Sequence, residues 1–418
     1  MKKLWHLALF VTFAFLFLVG ATLGADTPFC RPSNPASFLV GATLCRPSDP
    51  AYGAKKKDDI GEQVNEEVEK GLEDLIGSDF EEYFKDIGVK NSAGSLKSLL
   101  KDIIAGKQAF DINLLTKTAL NSLTLEARLL IPAFIAIIGI SILMGMLKKM
   151  TSGFMNAGTV SIINFVTVSV MLALILGILT DAILSTVKAV NTIAKIADIT
   201  VPLMLTLTTA LGGTASASVY STASVGLSNI VIRIVTGIII PLFIASVVTT
   251  LVGSVSKSIK LDKLTATLIS TGKWLLGAVF GIFTTFVISQ GLVGASVDNV
   301  SVRSLKFALS GYVPILGGYL SDGFDIISAS CILIKNAVGL VAVIMLFTAI
   351  LAPVAKLIVL SLCLKITASV TEPLGADMSG VMFKLSKSIG LLISAILGVA
   401  FAMFSIFILM ISTMGGGV

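Results

Sequence analysis

The chain has 418 residues, of which 55% are hydrophobic and 13% charged, and its mean hydropathy is +0.95. Apolar residues at this density exclude an ordinary soluble globular protein and indicate an integral membrane protein. The net charge of +6 does not indicate nucleic-acid binding, because the positive residues are scattered at the ends of apolar runs, where they determine the topology of membrane spans.

The N-terminus contains two lysines, an apolar run and then small residues, in the sequence MKKLWHLALFVTFAFLFLVGATLGA. This pattern is typical of a secretory signal peptide, or of a first anchor if the small-residue region is not cleaved, and it covers residues 1–25. Residues 26–125 form the longest polar stretch. Apolar residues recur there at every fourth position from Ile60 to Ile76, which predicts an amphipathic helix. We expect residues 26–125 to be an extracytoplasmic region of short amphipathic helices.

Residues 126–418 are predicted to form the polytopic transmembrane domain of an all-α protein. The first apolar run ends at Lys148 and Lys149, as expected where a span emerges into the cytoplasm. The second span returns outward, and its helix continues to Lys195 at the surface. Because a span needs about 20 residues, about seven spans are predicted in all. They lie near 129–149, 160–181, 227–253, 264–293, 326–351, 352–374 and 389–414.

Two short segments do not fit plain spans, because each contains Val-Pro and is followed by a Gly-Gly pair. They begin at Val201–Pro202 and Val313–Pro314. Proline and glycine weaken helical hydrogen bonding, and irregular backbone at membrane depth is tolerated only against protein or water. These segments are therefore predicted to be broken or re-entrant elements of the kind that line transport sites. The candidate pore or gate residues are Pro202, Gly212, Gly213, Pro314, Gly317, Gly318, Asp322 and Asp325. The alternative is an extracytoplasmic loop with a kinked helix start, which needs no function.

The two segments also suggest an internal repeat of residues 201–253 and 313–365. Superposing Val201 on Val313 places Ser216-Ala217-Ser218 on Ser328-Ala329-Ser330 and Pro241 on Pro353. Chance matches in a chain rich in alanine, serine and valine are the alternative explanation.

Several charged residues lie within apolar sequence. Such groups are costly in lipid and tend to face the interior of a bundle, a cavity or each other. The alternative is that they lie near the interfaces, where long side chains extend to water. The candidate buried charge partners are Arg233, Lys335, Lys356 and Glu372.

The residues of common catalytic sites are missing. His6 is the only histidine, the chain has no phosphate-binding glycine loop with its lysine, and no cysteine–histidine cluster suits a metal. We therefore expect no enzymatic activity, no cofactor and no bound metal.

The region 301–375 has a specific combination of motifs. It reads SVRSLKFALSGYVPILGGYLSDGFDIISASCILIKNAVG, followed by Pro353, Lys356 and EPLG at 372–375. In this combination the chain resembles the stage III sporulation protein AE family of endospore-forming Firmicutes. The resemblance implies a multi-span component of the mother-cell side of the sporulation channel, a secretion or feeding conduit between mother cell and forespore that is required for late forespore development.

The resemblance also implies a location and partners. The chain would lie in the mother-cell membrane that surrounds the forespore, with residues 26–125 in the intermembrane space. Its partners would be the bilayer, a forespore membrane protein, and the other proteins of the same operon, which include an ATPase, ring-forming proteins and membrane subunits. A homo-oligomer is left open. Two alternatives remain: a self-sufficient secondary transporter with Asp322 and Asp325 as ligands, and a purely structural membrane scaffold.

Overall fold

The computed structural model describes residues 112–151, 157–211, 214–255, 261–312, 317–374 and 378–412. These ranges are almost entirely helical and contain no strand, which confirms the predicted all-α, polytopic bundle. The helices are α1 Ile112–Thr151, α2 Ala157–Ala210, α3 Thr214–Ile234, α4 Ile240–Val255, α5 Asp262–Tyr312, α6 Gly317–Thr371 and α7 Ser379–Ser412. A π-helical turn, Val235–Ile239, joins α3 to α4, and a 3₁₀ turn, Glu372–Leu374, follows α6. The predicted signal segment and residues 26–111 lie outside the described residues.

Six helical stretches in the described part of the chain are long and apolar enough to cross a membrane. They are Ala119–Met146, Phe165–Ala210, Gly226–Ser254, Asp262–Val287, Ile327–Thr371 and Ser379–Ile411. Two of them have 46 and 45 residues, about twice the number that a single crossing requires.

The division into spans differs from the sequence prediction at Pro202 and Pro353. The runs predicted as separate spans, 326–351 and 352–374, form the single helix α6 as far as Thr371, and this helix passes through Pro353. The segment at Val201–Pro202, predicted to be broken, is continuous helix within α2. Around Pro202 the side chains of Val201, Met204 and Leu207 are buried, so the packing of this face offsets the roughly 3 kcal/mol that a helical proline costs.

The second Val-Pro segment falls between two helices. Helix α5 ends at Tyr312 and α6 begins at Gly317. Residues 313–316, with Pro314, lie outside the described residues, so a re-entrant element there stays a prediction, as does the internal repeat.

Helix α7 is the centre of the bundle. It packs against α6, α5, α4 and α2. Of its most apolar part, 61% is buried inside the bundle, against 17% of the most apolar part of α5. Helix α6 also packs along α1 and α2. The core is therefore built around the α6–α7 pair, and α1, α2, α4 and α5 surround it.

Glycines allow the central helices to approach closely. A Cβ on Gly339 of α6 would lie 2.5 Å from Ile411 Cγ1 of α7, and a Cβ on Gly272 of α5 would lie 2.9 Å from Leu391 Cδ2 of α7. Small residues at helix crossings are a common basis of packing in membranes, where lipid provides no hydrophobic drive between helices.

Candidate functional site

An ion pair joins the two longest helices. Lys356 Nζ of α6 lies 2.5 Å from Asp181 Oδ2 of α2, and the side chains are 15% and 65% exposed. The sequence identified Lys356 as a candidate buried charge but did not identify Asp181 as its partner. The available signal was a lone carboxylate within the apolar run of α2, since such a group in a span tends to pair.

Lys335 is the most deeply placed of the predicted charges. Its side chain has no exposed surface, and Ile334, Ala337 and Val338 beside it on α6 are also buried. The neighbouring Asn336 carries a buried Oδ1 atom without a hydrogen-bond partner. A buried ammonium group and an unsatisfied amide oxygen both cost free energy, which marks this part of α6 as a candidate functional site.

The other two candidate charge partners have different surroundings. Arg233, in the last turn of α3, is exposed, and so is Glu372, which begins the 3₁₀ turn after α6. Neither occupies the buried position that was predicted. Glu372 lies at the end of its helix, where a side chain can extend away from the bundle, whereas Arg233 lies within the span Gly226–Ser254, because the π-helical turn continues its helix into α4.

Few of the candidate pore or gate residues can be placed fully. Pro202 lies on the exposed side of α2, and Gly317 and Gly318 form the first turn of α6. Asp322 and Asp325 follow on α6, but their side chains are not among those described. Gly212, Gly213 and Pro314 lie outside the described residues. The pore-lining role of this set stays a prediction.

A row of exposed polar side chains runs along the C-terminal half of α2, and we call it the polar stripe. From one member to the next the step is one, three, four, seven or eight residues, which keeps all of them within about 100° around the helix, so they share one face. They are Thr180, Asp181, Lys188, Asn191, Lys195, Asp198, Thr206 and Thr209. The opposite face of the same half is buried. Sequence reasoning placed only Lys195 at the surface, although the helical spacing of these residues was a usable signal.

The exposed face of the N-terminal half of α2 is apolar rather than polar. Its exposed large side chains are apolar, at Ile162, Phe165, Val166, Val170, Leu174, Leu176 and Leu184. From Ile162 to Leu184 the helix rises about 33 Å, close to the ~30 Å of a bilayer hydrocarbon core. Beyond Leu184 the exposed face belongs to the polar stripe. The N-terminal half of α2 can therefore lie in lipid, and the outer face of its C-terminal half suits water.

Metal binding has no evident site in the parts of the chain that are described. No group of three or more His, Cys, Asp or Glu side chains is placed there to hold an ion.

Comparisons with known proteins point in one direction. The sequence model of the family described as Stage III sporulation protein AE matches residues 94–415. The Stage III sporulation protein AE of Bacillus subtilis (strain 168) is 27% identical over 229 residues, which are 54% of this chain and 57% of that protein. The alignment thus spans little more than half the length of that relative. No solved structure matches the chain. Because the family match covers well over half of the sequence, the chain belongs to the stage III sporulation protein AE family.

Proposed function

We propose that the chain is a multi-span membrane component of the mother-cell side of the sporulation channel, the conduit between mother cell and forespore. The observation that carries this proposal is the family match over residues 94–415, which supports a role in sporulation. Six helices suited to membrane crossing agree with a subunit embedded in the mother-cell membrane. The partners in this proposal are the other proteins of the same operon and a protein of the forespore membrane.

The distribution of basic residues suggests an orientation. If all six stretches cross, Lys148 and Lys149 near the end of α1, Lys263 in the first turn of α5 and Lys384 near the start of α7 lie on one side. Basic residues flanking spans are concentrated on the cytoplasmic side. The C-terminal half of α2, with the polar stripe, then lies on the extracytoplasmic side.

This orientation gives the polar stripe a place in the proposed conduit. Helices α2 and α6 have 54 and 55 residues and are about 80 Å long, far more than a bilayer requires. The half of α2 that carries the stripe extends into the space between the two membranes, where it meets water or channel partners. A bundle whose outer surface was apolar throughout would have no polar surface of this kind.

The proposal is tested in the spore-forming host of this gene. Deletion is expected to allow engulfment to begin but to reduce heat-resistant spores by several orders of magnitude and to silence a late forespore reporter. A wild-type copy supplied elsewhere should restore both. Normal spore numbers in the deletion strain would contradict the proposal.

A second experiment separates a channel subunit from a self-sufficient transporter. The full chain, purified in a mild detergent from sporulating cells, is expected to co-purify with the other products of its operon. Solute uptake by the purified chain alone in liposomes, lost on Asp322→Asn and Asp325→Asn, would instead favour a transporter.

A further inference from the structure

Helices α5 and α7 lie side by side in a fixed register. Asp262 Oδ1 at the start of α5 lies 2.6 Å from Lys384 Nζ of α7. Further along, Gly272 faces Leu391, and Phe280 faces Gly398. These three contacts occur in the same order on both helices, so the helices run parallel and present adjacent surfaces between the first and last contact.

Two lysines lie on these adjacent surfaces without an acidic partner. Lys273 directly follows Gly272, and Lys387 precedes Leu391 by one helical turn, so the Gly272–Leu391 contact brings the two close together. Because both side chains are positively charged, they repel one another. The carboxylate of Asp262 pairs with Lys384, and within the described residues no carboxylate pairs with Lys273 or Lys387. The α5–α7 surface therefore holds two uncompensated ammonium groups.

Aromatic side chains border the two lysines. Trp274 follows Lys273 and is 72% exposed, and Lys387 Nζ lies 4.5 Å from the ring centroid of the exposed Phe383. Tryptophan is enriched where a span meets the headgroup layer. From 275 to 297 on α5 and from 388 to 412 on α7 the sequence has no charged residue, and each run exceeds the ~20 residues of one crossing, so Lys273 and Lys387 can lie in that layer at the start of their spans.

We propose that Lys273 and Lys387 bind the phosphate of an anionic phospholipid in the cytoplasmic leaflet, with Trp274 and Phe383 contacting its glycerol and upper acyl chains. Basic pockets between membrane helices on the cytoplasmic side bind acidic headgroups in this way. A bridging phosphate relieves the repulsion between the two ammonium groups. The exposed aromatic rings favour an amphipathic ligand over a free phosphate ion, and the orientation of the site rests on the proposed six crossings.

The test compares lipids on the full chain purified in a neutral detergent. Addition of phosphatidylglycerol or cardiolipin is expected to raise the melting temperature by several degrees more than phosphatidylcholine does. The double variant Lys273→Gln/Lys387→Gln should lose this difference, and Lys273→Arg/Lys387→Arg should keep it. The matched control Lys263→Gln/Lys365→Gln removes the same charge from exposed positions on α5 and α6 and should also keep it.

Several outcomes would overturn the inference. They are equal stabilisation by anionic and neutral lipids, loss of the difference in the control double variant as well, and stabilisation by inorganic phosphate equal to that by phosphatidylglycerol. If the Gln double variant is too unstable to purify, the single variant Lys387→Gln, at an exposed position, still decides, because it should lose most of the difference that Lys263→Gln keeps. Labelling of Lys273→Cys by a membrane-impermeant maleimide added to intact growing cells that produce the chain would place the site in the other leaflet. That last result would contradict the assignment of the site to the cytoplasmic leaflet, while leaving the proposed role in sporulation intact.

Discussion

The ring of Phe280 on α5 fills the space in which a Cβ on Gly398 of α7 would lie. We predict that Gly398→Ala lowers the stability of the bundle, because the ring must move within a packed interface and overpacking costs about 1–3 kcal/mol. The melting temperature of the detergent-purified chain is expected to fall by several degrees. Adding Phe280→Leu should recover part of the loss by vacating the space.

Gly380, on the same helix, provides the matched control for this prediction. A Cβ there would meet no atom within 4 Å. Gly380→Ala should leave the melting temperature unchanged or raise it, since alanine favours a helix over glycine by about 1 kcal/mol. If Gly398→Ala behaved like Gly380→Ala, the close α5–α7 approach would be refuted.

The ion pair between Lys356 and Asp181 predicts unequal effects of its two neutralising variants. Asp181→Asn leaves the largely buried Lys356 without its carboxylate, whereas Lys356→Gln leaves an Asp181 that is 65% exposed. The first variant should therefore destabilise the chain more, because an unpaired charge costs most where it is least solvated. Melting temperatures of the two single variants and of the double variant measure this. Equal losses that simply add in the double variant would contradict a direct pair.

The sequence predicted the helical class and most of the membrane runs, but not how the runs join. Because a span needs about 20 residues, length alone divides the run 326–374 in two near Pro353, whereas the structure has one helix through Pro353. In the structure Ala355 and Leu357 beside it are buried, so tertiary packing holds the helix together. Such packing depends on α1, α2 and α7, whose positions cannot be read from the local sequence.

The candidate site shows the same limit. Lys335 and Lys356 could be selected because a charge within an apolar run is costly wherever it lies. The partner of Lys356 could not, because Asp181 belongs to a distant helix and only the α2–α6 packing brings the two together. Arg233 lies in equally apolar sequence but is exposed. The local sequence does not indicate which side of a helix faces outward.

The polar stripe predicts the accessibility of α2 to water. In a chain whose native cysteines are replaced by serine and that is produced in growing cells, where the extracytoplasmic face meets the medium, Asn191→Cys and Lys195→Cys should react with a membrane-impermeant maleimide. Val170→Cys and Leu174→Cys, exposed within the apolar half, should not react, because lipid covers them. Labelling at positions 191 and 195 only after the cells are opened would invert the proposed orientation. No labelling at all would place the stripe in lipid or against another protein.

Lys335 provides a test of whether a buried charge is kept for stability or for function. Methionine has a similar length, so Lys335→Met removes both the cost of burying an ammonium group and the polar or electrostatic contact that Lys335 makes, and the variant should still fold. If the charge serves the conduit, the same variant should reduce heat-resistant spores at least tenfold at a normal protein level. Lys365→Met, which changes an exposed lysine of the same helix, should sporulate normally. A Lys335→Met strain with wild-type spore numbers would show that the conduit does not need this charge, and a strong loss of stability would show that its role is structural.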